Sequence, residues 1–410
     1  MNLESFTRVY RLWGGGTTAF YAYTHSSLDL CLALLVPMLP FIRTDLGLSY
    51  FQSGLLLSGF AITTGIAHFL GGWLGDRLNR RMLIAISLGS VGLATIATGL
   101  SSTYYPLLLF LVFMGLFGGA YHPSAVAMLS SHFALERIGK IIGLYMMGGS
   151  IGFALGPIFG GLIADKLSWH SAYIILSIPA LAAALLSFRK IKPQEFRSNN
   201  ETVETLGGTD DTNVGTVHGH VSISQVLLPI APIITLAILI QFVAGSAMAF
   251  IPIYFVDKHN IAPIFAAMYV GIIRGGGIVG SLSGGWLSDR MGRRNAIVWV
   301  LVITGPLLYL LINLPISAFI FLVLVMFGMV IIMRQTTVMS YLMSVTPPQL
   351  RSTVYGLYFG LYLESMSLMQ PIVGYFMDKF GILSVFNIIA FLSVALSLLA
   401  PLLLISKSRK

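Results

Sequence analysis

The stretch GGWLGDRLNRR at 71–81 returns as GGWLSDRMGRR at 284–294, identical at eight of eleven positions. The offset of 213 residues also sets Gly143-Leu144-Tyr145 on Gly356-Leu357-Tyr358, and an offset of 212 sets Pro40 and Asp45 on Pro252 and Asp257. One unit has been used twice along the chain. Both copies stand between apolar runs of about 20 residues, the length that crosses the hydrocarbon of a bilayer. Runs of this kind predict twelve spans, at 17–41, 50–75, 82–101, 105–131, 139–164, 169–188, 226–255, 263–287, 295–314, 317–344, 352–377 and 382–405.

Composition agrees. Of 410 residues, 56% are apolar and 10% charged, with a mean hydropathy of +0.86. A soluble domain carries about 25% charged residues, so this chain cannot cover a water-facing surface. The 43 glycines favour close helix packing over a barrel, whose strands would alternate in polarity. The expected fold is an all-α membrane protein of two six-helix pseudo-symmetric bundles, residues 1–188 and 226–410. A hydrophilic cytoplasmic linker at 189–225, too poor in apolar residues to form a core, joins them. Cys31, the single cysteine, excludes an intrachain disulfide and reads as a small core residue. The N-terminal segment lacks a cleavable signal pattern and reads as retained.

Charge sets the orientation. Of the 24 Lys and Arg, Arg43, Lys166, Lys258 and Lys379 fall on one side and Arg274 and Arg334 fall within spans, leaving 18 on the other. The richer side is cytoplasmic by the positive-inside rule, which places both termini and the linker inside and the chain in the plasma membrane. The net charge of +9 therefore needs no nucleic-acid partner. Asp45, Asp165, Asp257 and Asp378 lie beside the four outer cations and neutralise that face.

The G-x-x-x-D-R-x-x-R-R loops resemble the signature loop of the major facilitator superfamily, and the six-plus-six layout extends the resemblance over nearly the whole chain. The first copy has Asn79 where the second has Gly292. The resemblance implies a conformational latch made by Asp76, Arg77, Asp289 and Arg290, whose charge-assisted hydrogen bonds form in one state and break in another. Gly152, Gly156, Pro157, Gly160 and Gly161 in span five resemble the motif of proton-coupled drug exporters in that superfamily, although Leu111 stands where those exporters have an arginine. Tyr23 to Asp29, with Gly118 to Pro123 (GGAYHP), resembles its fosmidomycin-resistance branch, with Ser124 where an acid is usual.

Ionisable groups within a bilayer cost about 2.5 to 3.5 kcal/mol at a helix centre and mark functional sites. Asp29 lies near the middle of span one, with His25 and Tyr21 each one turn earlier on the same face. A carboxylate one turn from an imidazole can exchange a proton with it, which makes Asp29 and His25 the expected coupling site, with Glu364 of span eleven as a further member. Arg274 of span eight is the expected partner of Glu364. Tyr21, His122, Arg274, Arg334 and Gln241 are expected to contact substrate, Gln241 standing at the place of Asp29 in the second unit. His68 reads as structural.

The expected function is proton-coupled secondary transport of a small organic compound, anionic or drug-like, by alternating access, with export favoured by the span-five motif. A second reading is import of an organic anion or sugar acid. A third makes His25, Asp29, His68 and His122 ligands for a transported transition metal, which requires helices to converge. Neither unit has a G-x-x-x-x-G-K-[ST] loop for ATP, and no H-E-x-x-H or G-x-S-x-G points to an enzyme. No cofactor or resident metal is expected; the partners are substrate, protons and lipid, with the monomer as the working unit.

Overall fold

A computed structural model describes residues 15–75, 77–130, 133, 135–191, 223–346 and 351–402. Among these residues the helices fall into twelve spans, and no strand occurs. The first unit comprises Gly15–Leu32 continued by Leu35–Leu46 (span one), Tyr50–Gly75 (two), Arg80–Gly99 (three), Tyr104–Ser130 (four), Leu135–Lys166 (five) and Trp169–Leu176 continued by Ile178–Lys190 (six). The second comprises Ile223–Ile240, Gln241–Gly245 and Ser246–His259 (seven), Pro263–Met291 (eight), Arg293–Asn313 (nine), Ala318–Val345 (ten), Arg351–Phe380 (eleven) and Ile382–Leu399 (twelve). Ten of the twelve have both the length and the hydropathy of a bilayer crossing; spans two and eleven are helices of 26 and 30 residues that pack on each other. Most of the linker lies outside the described residues.

The leading helix of each unit is interrupted at the same depth. In span one Pro37 has no N–H to give the carbonyl of Ala33, and its ring crowds that oxygen. The helix stops after Leu32 and resumes at Leu35. In span seven the interruption is a π-helix, Gln241–Gly245, which lies 212 residues after Asp29–Ala33. Wide turns of this kind concentrate at functional sites. Both leading helices run further than the sequence suggests, to Leu46 and His259, because a left-handed residue ends each: Gly47 (φ 61°), whose N–H reaches the carbonyl of Arg43, and Asn260 (φ 50°), which reaches Val256. These two caps are 213 residues apart and satisfy carbonyls that the helix ends would leave open.

Within each unit the spans pack mainly on one another. Span five lies against span one along glycines, since a Cβ at Gly148 would strike the carbonyl of Ala22, at Gly152 that of Ser26, and at Gly156 that of Leu30. The units meet through spans two and eleven, spans five and eight, and the second segment of span one against spans seven and eight. Small residues seat these contacts too: Gly54 on the backbone of Gln370, Gly374 on Tyr50, and Gly161 on Ala267. All these contacts lie on the side opposite the chain termini, called distal below.

Candidate functional site

His25 and Asp29 face span five on the first segment of span one, each with a side chain only 4% exposed. Nε2 of His25 is 3.1 Å from Oδ2 of Asp29. Nδ1 of the same ring is 2.9 Å from the carbonyl oxygen of Tyr145 in span five. A carbonyl only accepts, so Nδ1 carries a hydrogen. A proton on either Nε2 or Oδ2 would make their contact a hydrogen bond. The Tyr145 ring stacks on His25 at 4.1 Å, and Gly149 leaves the room the pair needs: a Cβ there would come within 2.5 Å of His25 Nε2 and 2.6 Å of Asp29 Oδ2.

Span four brings His122 to this pair, with Nε2 3.8 Å from Asp29 Oδ1 and its side chain 26% exposed. That Oδ1 atom is buried without a hydrogen-bond partner. The His122 ring sits edge-on to His25 at 5.1 Å and stacks on His68 of span two at 5.4 Å. Three histidines and an aspartate from spans one, two and four thus form one cluster, which His68 joins although it reads from the sequence as structural. Tyr121, beside His122, is fully buried and shares a 2.6 Å hydrogen bond with Thr24 of span one. Tyr21 is buried edge-on to Phe20 rather than facing open space. Cys31 is core, its thiol turned to the carbonyl of Leu176, and Leu111 is core as well.

The second unit holds a different arrangement. Gln241, in the π-helix, accepts a hydrogen bond from Nη2 of the buried Arg334 in span ten, and its own amide lies 3.7 Å from Met366 Sδ in span eleven. The pair joins spans seven and ten as Thr24 and Tyr121 join spans one and four. Arg274 is exposed and lies over the Phe153 ring of span five at 5.2 Å, at the boundary between the units and within electrostatic reach of Asp29. Glu364 stands on span eleven, its side chain outside the described residues.

The signature loops behave as a symmetric pair in one respect. The guanidinium of Arg77 lies over Trp73 at 4.0 Å, and that of Arg290 over Trp286 at 5.2 Å. Asp76 lies outside the described residues, and Asp289 is exposed at the end of span eight. A second set of polar contacts, which sequence reasoning missed, ties the units together at the distal side. Asp257 accepts from the Tyr50 hydroxyl at 2.5 Å and from Nη1 of Arg43 at 3.4 Å, while Arg43 lies over the Tyr50 ring at 4.0 Å. Asp378 accepts from the backbone N–H groups of Tyr50 and Phe51, at 2.8 and 2.9 Å, and so caps span two from the other unit. The neighbouring Lys258 donates to the carbonyl of Ile312 at 2.5 Å. Of the four acids that look like local neutralisers in the sequence, Asp257 and Asp378 reach across to the other unit, whereas Asp45 accepts from Nε1 of Trp169 in its own unit at 3.0 Å.

Two helical units of this kind, each with an interrupted leading helix, and a buried ionisable cluster within the first, define a multi-pass membrane protein. Residues 24–363 match the Major Facilitator Superfamily, and the chain belongs to that family. Among curated proteins it is 27% identical over 291 residues to the multidrug resistance protein MdtG of Citrobacter koseri, covering 67% of each chain. It is 24% identical to a probable hexose phosphate transport protein of Chlamydia pneumoniae (67% of this chain, 63% of the other) and 25% identical to a hexuronate transporter of Bacillus subtilis (63% and 60%). The matches thus span less than two thirds of the sugar-phosphate and hexuronate relatives. Among solved structures, a bacterial homologue of the human lysosomal transporter Spinster, inward-facing and unoccupied, aligns with a TM-score of 0.72 at 17% identity over 97% of this chain and 98% of that one. The nucleoside transporter NupG aligns with a TM-score of 0.71 at 14% identity over 94% and 99%.

Proposed function

We propose that the protein is a proton-coupled secondary transporter that exports a small organic, anionic or drug-like compound by rocking of its two units. The observation that carries this reading is the buried His25–Asp29 pair, with Nε2 and Oδ2 3.1 Å apart and placed to share a proton, beside the partly exposed His122. A pair of this kind gains a proton from one side of the membrane and releases it to the other when the exposed face changes. Arg274 supplies fixed positive charge at the same boundary for an anionic group, and Glu364 is its proposed partner. Gln241 and Arg334 brace the second unit beneath the substrate, and Tyr21 supports the pair from within the first. Drug-export relatives, the span-five motif and the resemblance to the fosmidomycin-resistance branch support the outward direction. The distal contacts correspond to a state open toward the cytoplasm, with both termini on that side of the plasma membrane and the monomer as the working unit.

The hexose-phosphate and hexuronate relatives, with Arg274, support a second reading, import of an organic anion. A growth screen of expressing cells against toxic anions and amphiphiles identifies a substrate. Proteoliposomes with an imposed pH gradient in either direction then separate the two readings. The wild type should accumulate solute against the gradient of protons, whereas Asp29→Asn should retain solute counterflow and lose its response to pH. Gradient-driven transport that survives Asp29→Asn unchanged would sink the coupling site.

A further inference from the structure

We infer that His25, Asp29 and His122 form a binding site for a borderline-soft divalent cation of the Zn²⁺ class. One donor atom from each residue lies within 4.8 Å of the others. Zn²⁺ takes imidazole nitrogen and carboxylate oxygen at about 2.0 to 2.2 Å, which sets neighbouring donors of a tetrahedral site about 3.3 Å apart. The 3.1 Å from His25 Nε2 to Asp29 Oδ2 and the 3.8 Å from His122 Nε2 to Asp29 Oδ1 bracket that spacing, each histidine meeting its own carboxylate oxygen. The donor atoms of His25 and His122 lie within 4.8 Å of each other, and rotation of the partly exposed His122 ring is what would close this third side.

Three further features suit an ion. Asp29 Oδ1 is buried, has no hydrogen-bond partner and faces His122 Nε2, so a lone pair is available where the cation would sit. The Tyr145 carbonyl holds the hydrogen of His25 on Nδ1, which presents Nε2 as the donor, the usual outer support of a metal-binding histidine. The His122 side chain is 26% exposed, which makes it the side from which an ion would enter. Two nitrogen donors and a single carboxylate select against Mg²⁺ and Ca²⁺, which require oxygen cages.

The site rests on the same pair as the proton reading but is measured without transport. Full-length protein purified through a non-histidine tag, with linker residues His218 and His220 both replaced by alanine, is titrated with Zn²⁺ by calorimetry and with Co²⁺ by ligand-field absorption. One ion per chain is expected, with a tetrahedral Co²⁺ spectrum. Asp29→Asn and His122→Asn should each weaken binding by more than about tenfold, the scale on which even supporting groups act, while His170→Ala leaves it unchanged. For any variant that aggregates, X-ray absorption of the wild-type Zn²⁺ complex decides: imidazole scattering from two histidines supports the site. Absent binding, affinity indifferent to both substitutions, or a spectrum without imidazole overturns it. Loss of wild-type binding leaves the transport assays intact, and a pH-responsive Asp29→Asn leaves the binding data intact, so the two readings fail separately.

Discussion

Asn79 and Gly292 stand at the same place in the repeated loop and start the next helix by different means. Asn79 has ordinary extended backbone, and its side-chain oxygen accepts from the N–H groups of Arg81 and Met82 at 3.0 and 3.4 Å. Gly292 has φ 82° and no side-chain cap. Asn79→Ala should therefore lower stability by about 1 kcal/mol through lost capping. Gly292→Ala should lower it through backbone strain at a positive φ that alanine resists. Thermal unfolding of each variant checks the pair; an Asn79→Gly change that costs as much as Asn79→Ala would contradict the capping account. Gly149→Ala acts differently, because its methyl would press on His25 and Asp29 themselves. Overpacking of this size costs about 1 to 3 kcal/mol, and transport should fall more steeply than the yield of folded protein, which parallel measurement of uptake and unfolding resolves. At this scale the four-residue spacing of His25 and Asp29 was legible, since i and i+4 share a helix face. Tyr145 and Gly149 were not: one acts through its backbone carbonyl and the other through an absent side chain, and neither leaves a chemical signature in the chain.

At the scale of elements, the twelve runs could be read because a bilayer imposes length and hydropathy on each crossing. The duplication could be read because the loop copies share eight residues. Convergence of His25, Asp29, His68 and His122 could be named as a condition of metal binding, but it could not be deduced. Nothing in span four says that His122 turns toward span one, and His68 looks like one more polar residue near a helix end until span two is placed beside span four. The interruption of span one, which the unbroken run at 17–41 did not reveal, has a local cause in Pro37, whereas the π-helix of span seven has no proline at the wide turn and holds Gln241 against Arg334 and Met366. If the break below Asp29 allows the two segments of span one to move separately, Pro37→Ala should close it. The new N–H would reach the Ala33 carbonyl and stabilise the span by about 1 kcal/mol, while transport slows. A higher unfolding temperature with undiminished transport would show that the break has no part in the cycle.

For the whole molecule, polar contacts at the distal side join the two units. Asp378 ends span eleven yet accepts from the first two N–H groups of span two, so its charge meets the positive end of a helix in the other unit. Asp257 holds Tyr50 and Arg43 in the same way from span seven. Neither link can persist once the units part on that side. Both acids therefore stabilise the distally closed state alone, and such differential contact is what shifts a two-state equilibrium. A partly exposed charged pair contributes about 0.2 to 1 kcal/mol, and a helix-terminal charge about 0.3 to 1 kcal/mol. Asp257→Asn with Asp378→Asn should together move the population toward the distally open state by about 1.4 kcal/mol, roughly tenfold. The chain suits the measurement, since its single cysteine is buried and Cys31→Ala clears the background. Nitroxides on Ser102→Cys and Ser317→Cys, exposed positions on distal loops of opposite units, should report a longer separation in the double variant. Tyr50→Phe, which removes only the hydroxyl link to Asp257, should give a smaller shift in the same direction. An unchanged distance distribution in the double variant would mean that the backbone contacts at Gly54, Gly161 and Gly374 close the distal side without help from charge.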